Sequence, residues 1–368
     1  MKKILITLGA SGGHIYPALA VMDYIKSLDN TIETRLINST NSKIFVPASH
    51  GNDVTYKINS IGFIGKSFIY KIKSLFLFAV SVIESLKIIF TFMPDAIVGT
   101  GGFVSLPVAI AGFILNRKIY IIEGNSVPGL SNKIISKFCK KIFINFNHST
   151  KYFNKKRCIK TGFPIRELDN KVLKNKSLDL LILGGSQGSA IINSKVAQSV
   201  RSLLEKIASS KSGLKQLRIT HQCGSKNKEA TEGLYLSMKE NFSFFEFEVY
   251  EFIENIDQFY SKSKVLISRA GASTIAESLK FKVPSIYIPI KHSSGNHQYL
   301  NAKEIYDNKL AFIHLEENPS EELTIKIEEL LYNKSISEGM AKALESYSNL
   351  NKNCGAEKIA KEILKDFD

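Results

Sequence analysis

The sequence predicts an α/β protein built from two doubly wound parallel sheets, on three observations. Short β-rich runs alternate with amphipathic helical runs along the chain, the pattern of parallel strands covered by helices. An apolar strand running into a glycine loop opens the pattern twice, as Ile4-Leu-Ile-Thr-Leu-Gly-Ala-Ser-Gly-Gly-His14 and Leu180-Leu-Ile-Leu-Gly-Gly-Ser-Gln-Gly-Ser189. The 368 residues suffice for two such domains.

In the first half, apolar and β-branched runs place strands at Lys3–Leu8, Ile32–Ile37, Ala96–Gly99, Ile119–Ile122 and Lys141–Ile144, with helices over Pro17–Leu28, Leu106–Leu115 and Ser131–Lys137. The first run is basic and then apolar, like a secretion signal, but five apolar residues before Gly9 are too few, and a buried strand is expected. In the second half, strands are expected at Leu178–Leu183, Gln216–His221, Phe245–Tyr250, Val265–Ser268, Ser285–Ile288 and Ala311–His314. Helices fall over Ala190–Ala208, Thr274–Phe281, Gln298–Asp307 and Glu321–Leu331. The domain boundary is set at Gly162-Phe-Pro164, where glycine and proline end a strand. The expected division is residues 1–162, 163–340, and a terminal segment 341–368 whose last helix, Lys358–Lys365, packs back on the first domain.

Composition narrows the class. At 44% hydrophobic and 23% charged the chain is ordinary globular protein rather than disordered. The net charge of +15 is lopsided: residues 1–162 hold 21 Lys and Arg against 7 Asp and Glu, while the remainder holds 28 against 27. Such a basic half suits an anionic partner. The cysteines, Cys139, Cys158, Cys223 and Cys354, form no CxxC pair and are read as reduced thiols. The uncharged stretch from Ala96 to Asn116 is broken by glycines and Pro107, so strand and helix are expected rather than a membrane span. Residues 61–92 interleave apolar and aromatic side chains with Lys66, Lys71, Lys73 and Lys87. Their longest uncharged run, Ser74–Ile83, is too short to span a bilayer, leaving a surface contact with anionic lipid or a buried helix.

Glycine loops that leave strands and feed helix N-termini suit anions, because the backbone can approach a phosphate and unpaired N–H groups point at it. Gly9–Gly13, Gly99–Gly102, Gly184–Gly188 and Gly271–Thr274 are four of these. All leave carboxyl ends of expected strands, which favours phosphate or nucleotide binding over packing alone. None is a G-x-G-x-x-G or a P-loop, so neither a nicotinamide cofactor nor an ATPase is indicated. Gly184-x-Ser186-x-Gly188 also matches a hydrolase nucleophile elbow, with Asp257 and His297 following in order, yet its twin at Gly9/Ser11/Gly13 sits where no elbow is expected.

His14 opens the helix after the first loop, where the helix dipole disfavours a cation; a neutral imidazole there is either a general base or a packing residue. Glu277, one turn after Gly271–Thr274, is placed to accept two hydrogen bonds from a ribose diol or simply to favour the helix start. Arg166 and Arg269 flank the loops and have either phosphate or structural partners. No metal site is expected: the single Asp-x-Asp is Asp366-Phe-Asp368 and no histidines pair at helical spacing.

A wider set of motifs carries a resemblance. They are Gly9-Ala-Ser-Gly-Gly-His-Ile-Tyr-Pro-Ala-Leu-Ala20, Gly99-Thr-Gly-Gly-Phe-Val-Ser-Leu-Pro107, Glu123-Gly-Asn-Ser-Val-Pro-Gly129 with Asn132-Lys133, and Gly162-Phe-Pro-Ile-Arg166. The second half adds Gly184-Gly-Ser-Gln-Gly188, His221-Gln-Cys-Gly224, Phe252-Ile253, Ser268-Arg-Ala-Gly-Ala-Ser-Thr-Ile-Ala-Glu277 and His297-Gln-Tyr-Leu-Asn-Ala302. In order and spacing these resemble glycosyltransferase family 28, specifically its peptidoglycan enzymes that add N-acetylglucosamine to lipid I, undecaprenyl-pyrophosphoryl-N-acetylmuramoyl-pentapeptide, giving lipid II.

The resemblance implies a GT-B fold, two facing Rossmann-like domains with a cleft between them, and an inverting transfer without metal or other cofactor. It implies His14 as the base. It places UDP-N-acetylglucosamine on Ser11, Gly12, Gly13, Asn125, Arg166, Ser186, Ile253, Ala272, Ser273, Thr274, Glu277, His297, Gln298 and Asn301. Gly101, Gly102, Phe103 and Ser105 would meet the acceptor pyrophosphate, and Phe68, Lys71, Lys73, Leu75 and Phe78 the membrane. The implied partners are the donor, lipid I, an anionic membrane at the cytoplasmic face of a bacterial inner membrane, and cell-wall synthesis and division proteins, with no nucleic acid. Another lipid acceptor such as diacylglycerol is the alternative. The chain departs from the usual pattern at Ser11 for Thr, Gly124 for Gln, Phe163 for Asn, Cys223 for Thr, and His297 in a usual Gln pair.

Overall fold

The computed structural model describes residues 1–9, 12–40, 54–60, 68–165, 176–185, 187–210, 216–351 and 354–367, with backbone alone at 54–55 and 68–73. They form two compact units, Met1–Glu167 with Asn353–Asp368, and Leu168–Lys352. The division differs from residues 1–162, 163–340 and 341–368: the segment returning to the first unit begins at Asn353.

Unit 1 contains β1 (Lys3–Thr7), α1 (Gly12–Leu28), β2 (Glu33–Ser39), β3 (Val54–Ile58), α2 (Phe68–Phe92), β4 (Ala96–Gly99), α3 (Gly102–Ile114), β5 (Lys118–Glu123), α4 (Leu130–Ile135), β6 (Lys141–Ile144) and β7 (Cys158–Lys160). The strands pair in the order β3-β2-β1-β4-β5-β6-β7, all parallel. Chain order therefore reverses between β1 and β4, the switch point where open α/β sheets bind ligands beyond the strand carboxyl ends. Ile4, Ile6, Ile15, Ala18, Met22, Val98, Tyr120 and Phe143 build one core face, completed by Ala356, Ile359, Ala360 and Ile363 of the C-terminal helix Gly355–Leu364. Asp366 anchors that helix, accepting from Tyr120 Oη at 2.8 Å and lying 3.0 and 3.1 Å from the Lys140 and Lys141 ammonium groups.

Both α1 and α3 start earlier than expected, each with a proline at its sixth residue, Pro17 and Pro107. Each proline forfeits the backbone bond to the residue four before it, Gly13 or Phe103, yet the helix continues through it. Gly12, Gly13 and Gly102 thus fall within the bounds of these helices, and each glycine loop is shorter than it reads in sequence.

Unit 2 contains β8 (Leu178–Leu183), α5 (Ala190–Ser209), β9 (Leu217–Gln222), α6 (Lys228–Asn241), β10 (Phe245–Tyr250), α7 (Ile256–Lys262), β11 (Ser263–Ser268), α8 (Ala272–Lys280), β12 (Ser285–Tyr287), α9 (His297–Asp307), β13 (Ala311–Ile313), α10 (Ser320–Tyr332) and α11 (Lys334–Leu350). Its strands are also all parallel, in the order β10-β9-β8-β11-β12-β13. The switch point lies between β8 and β11. Every residue of β8 is buried, including Asp179, whose carboxylate accepts from Arg218 N and Lys264 Nζ at 2.8 and 2.7 Å.

α2 is the element furthest from expectation. Its Ser74–Phe92 portion has a mean hydropathy of 2.0 and is long and apolar enough, by length and composition, to cross a membrane. Its inner side is held by polar groups: Ser81 Oγ donates to Asn59 O, and the Glu84 carboxylate takes Asn59 N and Nδ2, each at 2.7 Å. Its outer side carries Leu75, Phe76, Ile83 and Phe90, which are 65, 69, 54 and 75% exposed and lie seven or eight residues apart on one stripe. Further along, the inner side turns apolar, with Ile89 and Phe92 in the core beside Leu5, Ile37 and Ile97, so the helix is apolar on both sides there.

Candidate active site

In unit 1 the switch point is closed by backbone and hydroxyl groups. β1 ends at Thr7 and β4 at Gly99. Thr100 Oγ1 donates to Thr7 O at 2.8 Å, and Thr100 N donates to Thr7 Oγ1 at 3.3 Å. Ser105 Oγ lies 2.6 Å from Thr7 Oγ1, donates to Gly101 O at 2.7 Å and accepts from Gly101 N at 3.0 Å. Ser105 is fully buried, so it supports the Gly101 turn from beneath instead of facing an acceptor. Gly101, at φ +93°, takes a conformation that side chains resist. Phe103, two residues on, is exposed.

His14 is the third residue of α1 and reaches across the switch point, its Nδ1 2.6 Å from Thr100 O. A carbonyl can only accept, so Nδ1 carries the proton and, in the neutral ring, Nε2 keeps its lone pair. Desolvation by burial lowers the histidine's pKa below its ordinary 6.5, outweighing the Thr100 bond that raises it. Gly9 leaves room for the ring: a Cβ there would lie 2.5 Å from His14 Cβ.

Glu123, which closes β5, was not a predicted site residue. It is buried and accepts Asn125 N at 2.9 Å, Gly129 N at 3.3 Å and Asn132 Nδ2 at 2.9 Å, so it shapes the loop that carries Asn125. Burial pushes its pKa up to about 7 against these three bonds. Asn132 Nδ2 also donates to Ile122 O at 3.0 Å. The sequence signal is a carboxylate ending a mostly apolar strand, five residues before Pro128 of the Pro128-Gly129 turn.

In unit 2 the loop after β8 is packed against the loop after β9. A Cβ on Gly188, at φ +76°, would lie 2.0 Å from Cys223 O. Gln222 Nε2 donates to Gly185 O at 3.0 Å and its Oε1 accepts Ile253 N at 2.9 Å. The Ile253 side chain is buried. His221, fully buried, lies between Tyr235 Oη at 2.9 Å and Asn193 Oδ1 at 3.0 Å, and burial lowers its pKa to about 3. That makes it a structural neutral histidine.

α8 starts at Ala272 without a side-chain cap, and Ala272, Ser273 and Thr274 form its first turn. Glu277 follows one turn later, with Tyr260 Oη donating to its Oε2 at 3.0 Å. Asn301 is fully buried and donates to Ala270 O at 3.2 Å, so it seats the loop before α8. Gln298 Oε1 accepts Ile290 N at 3.1 Å, and His297 Nδ1 lies 2.9 Å from Ser294 O. Arg269, one of the two arginines read as phosphate or structural groups, is held by protein partners.

Ser11, Arg166 and Ser186 lie outside the described residues, as do the side chains of Phe68, Lys71 and Lys73. Gly12 and Gly13 open α1, and Phe78 is half-buried while Leu75 is exposed. Among the described residues, no group of three or more His, Cys, Asp or Glu is arranged to hold a metal ion.

Residues 4–144 match the N-terminal domain of glycosyltransferase family 28, and residues 179–363 match its C-terminal domain. A Sulfurihydrogenibium protein named UDP-N-acetylglucosamine--N-acetylmuramyl-(pentapeptide) pyrophosphoryl-undecaprenol N-acetylglucosamine transferase is 34% identical, over 100% of this chain and 99% of its own. The protein of the same name from Caldicellulosiruptor saccharolyticus is 32% identical, over 98% of both. Among solved structures, MurG of Acinetobacter baumannii superposes with a TM-score of 0.74 at 22% identity, over 99% of this chain and 100% of that one.

Proposed function

The chain belongs to glycosyltransferase family 28, and from that membership we propose that it transfers N-acetylglucosamine from UDP-N-acetylglucosamine to the 4-hydroxyl of undecaprenyl-pyrophosphoryl-N-acetylmuramoyl-pentapeptide, making lipid II for peptidoglycan. The observation that carries the reading is a neutral histidine at one switch point, in a chain whose other switch point is ringed by glycine loops.

In this reading unit 2 holds the donor. Backbone N–H groups of the Gly184–Gly188 loop and the α8 N-terminus meet the diphosphate, and Glu277, oriented by Tyr260, accepts from the ribose hydroxyls. Unit 1 takes the acceptor, with its pyrophosphate at the Gly101–Gly102 turn. His14 Nε2 removes the proton from the attacking 4-hydroxyl as its oxygen bonds to the anomeric carbon and the bond to UDP breaks, inverting that carbon. Helix N-termini and backbone dipoles take up the charge on departing UDP, with no divalent ion in the step.

The membrane is met by unit 1. Support comes from the outward stripe Leu75, Phe76, Ile83 and Phe90, from Phe113 and Ile114 of α3, each 59% exposed, and from the positive charge concentrated in residues 1–162. Peripheral attachment at the cytoplasmic face, and docking of other cell-wall proteins there, belong to the same proposal.

The test is incorporation of labelled N-acetylglucosamine from UDP-N-acetylglucosamine into a lipid I analogue, with diacylglycerol as the competing acceptor, with and without EDTA. Label on diacylglycerol alone refutes the acceptor, and loss of turnover with EDTA refutes the metal-free step.

A further inference from the structure

The Arg269 guanidinium ties together the ends of four strands in unit 2. It follows β11, and its Nη2 donates to Ser189 Oγ at 2.7 Å, crossing the switch point to the loop after β8. Ser189 is the N-cap of α5 and also accepts Ile192 N at 3.3 Å. Arg269 Nη1 donates to Ile288 O, just past β12, at 3.0 Å. The same Nη1 lies 2.6 Å from Glu316 Oε1, beyond β13, as a charge contact off the N–H axis. Glu316 Oε2 accepts Lys291 N at 3.0 Å, in the loop that leads to α9. The arginine and glutamate side chains are only 13 and 10% exposed.

We propose that Arg269 is a positioning residue for the donor: it clamps the Gly184–Ser189 loop to the loop leading to Gln298, so that the backbone N–H groups facing the UDP diphosphate stay aimed. The proposal rests on the donor assignment above.

Three properties single out an arginine for this place. Its planar fork offers several donors in fixed directions, which a lysine lacks. Its permanent charge is matched by Glu316, so burial costs little net charge. Its contacts are all to loops and none to the interior of a strand, so its role is to set loop geometry at the carboxyl edge where phosphate would sit. Hydrogen-bonding a helix cap also aims the first free N–H groups of α5.

The experiment is calorimetric titration with UDP and steady-state kinetics on wild type, Arg269→Lys, Ser189→Ala and Glu316→Gln, with circular dichroism checking the fold of each. The expected result for Arg269→Lys and Ser189→Ala is a rise of about tenfold or more in both the UDP Kd and the donor KM. The acceptor KM should stay unchanged and kcat should fall far less than kcat/KM for the donor. Glu316→Gln, which keeps the shape but drops the charge, should show a smaller shift in the same direction. If Arg269→Lys does not fold, Ser189→Ala and Glu316→Gln decide by the same readouts. Folded variants with wild-type UDP affinity and donor KM overturn the clamp while leaving the donor reading standing. Wild-type protein that binds no UDP overturns both.

Discussion

Nδ1 of His14 lies 2.6 Å from the carbonyl oxygen of Thr100, joining the start of α1 to the end of β4. The contact determines which ring nitrogen bears the proton, and burial determines that the ring carries only one near neutrality. Sequence alone left open whether this histidine packs the loop or acts as a base. The contact favours the base, because it spends the donor nitrogen on the protein and leaves the acceptor nitrogen for a substrate.

Replacing His14 with Ala should lower kcat by roughly 10²–10⁴-fold, the usual range for a general base. Because the folded pKa lies below 6.5, the acid limb of the kcat/KM profile should have its midpoint below pH 6.5. A variant with near-wild-type turnover, or a wild-type midpoint well above 6.5, would remove the base role.

Glu123 links stability to pH in the opposite sense from an ordinary salt-bridged acid. Its folded pKa is raised from 4.5 to about 7, so its contribution is fully present below pH 4.5 and is lost as pH rises through 7. At 1.36 kcal/mol per unit that is about 3 kcal/mol. Glu123→Gln has no such titration. Urea unfolding at pH 4.5 and pH 8 should show the wild type losing its advantage over the variant by that amount, and a constant difference across the range would count against a raised pKa.

Two glycines should respond to alanine with opposite signs. Gly188 sits at φ +76° with Cys223 O 2.0 Å from a would-be Cβ, so Gly188→Ala should destabilise by at least 1–3 kcal/mol, roughly the cost of one strained residue. Gly233 lies inside α6 with open space around it, so Gly233→Ala should stabilise by about 0.5–1 kcal/mol. Chemical denaturation of both variants checks the pair.

The outward face of α2 gives a prediction for binding rather than folding. Leu75, Phe76 and Phe90 are 65–75% exposed, so changing all three to Ser should leave the melting temperature within a few degrees. Co-sedimentation with vesicles rich in anionic phospholipid should fall about tenfold or more. Unchanged sedimentation removes this face from membrane contact.

The central strands of both sheets are legible in sequence because they are buried on two faces and read as largely apolar runs; β4, Ala96–Gly99, is the plainest case. The strand order, with its reversal at each switch point, is read only from the pairing in the structure. What escaped were weakly patterned elements. β3 alternates Val, Thr, Tyr, Lys and Ile without a clear edge. α6 and α11 each carry an interior glycine, Gly233 and Gly339, and present only three and two buried side chains. In the candidate site, the motifs contain Glu123, Gln222 and Arg269 without giving what each one holds. They act through bonds to backbone and side-chain atoms brought together by folding, and no spacing in one sequence encodes such a bond. The motif likewise did not distinguish Ser105 and Asn301, both fully buried beneath their loops, from residues at the surface.

The C-terminal helix gives the molecule a constraint in time. Ala356, Ile359, Ala360 and Ile363 complete the core around Ile4, Ile15 and Met22, so that face of the unit begun first stays uncovered until residue 363 has been made. At a synthesis rate of roughly 5–20 residues per second, the interval after residue 165 is about 10–40 s. During it α1 presents an uncovered apolar face beside the nascent chain, and unit 2 emerges whole before unit 1 is sealed. The first domain to be translated is therefore the last to mature, and a ribosome stalled in the second half should leave the basic, apolar half of the molecule exposed to chaperones or to lipid.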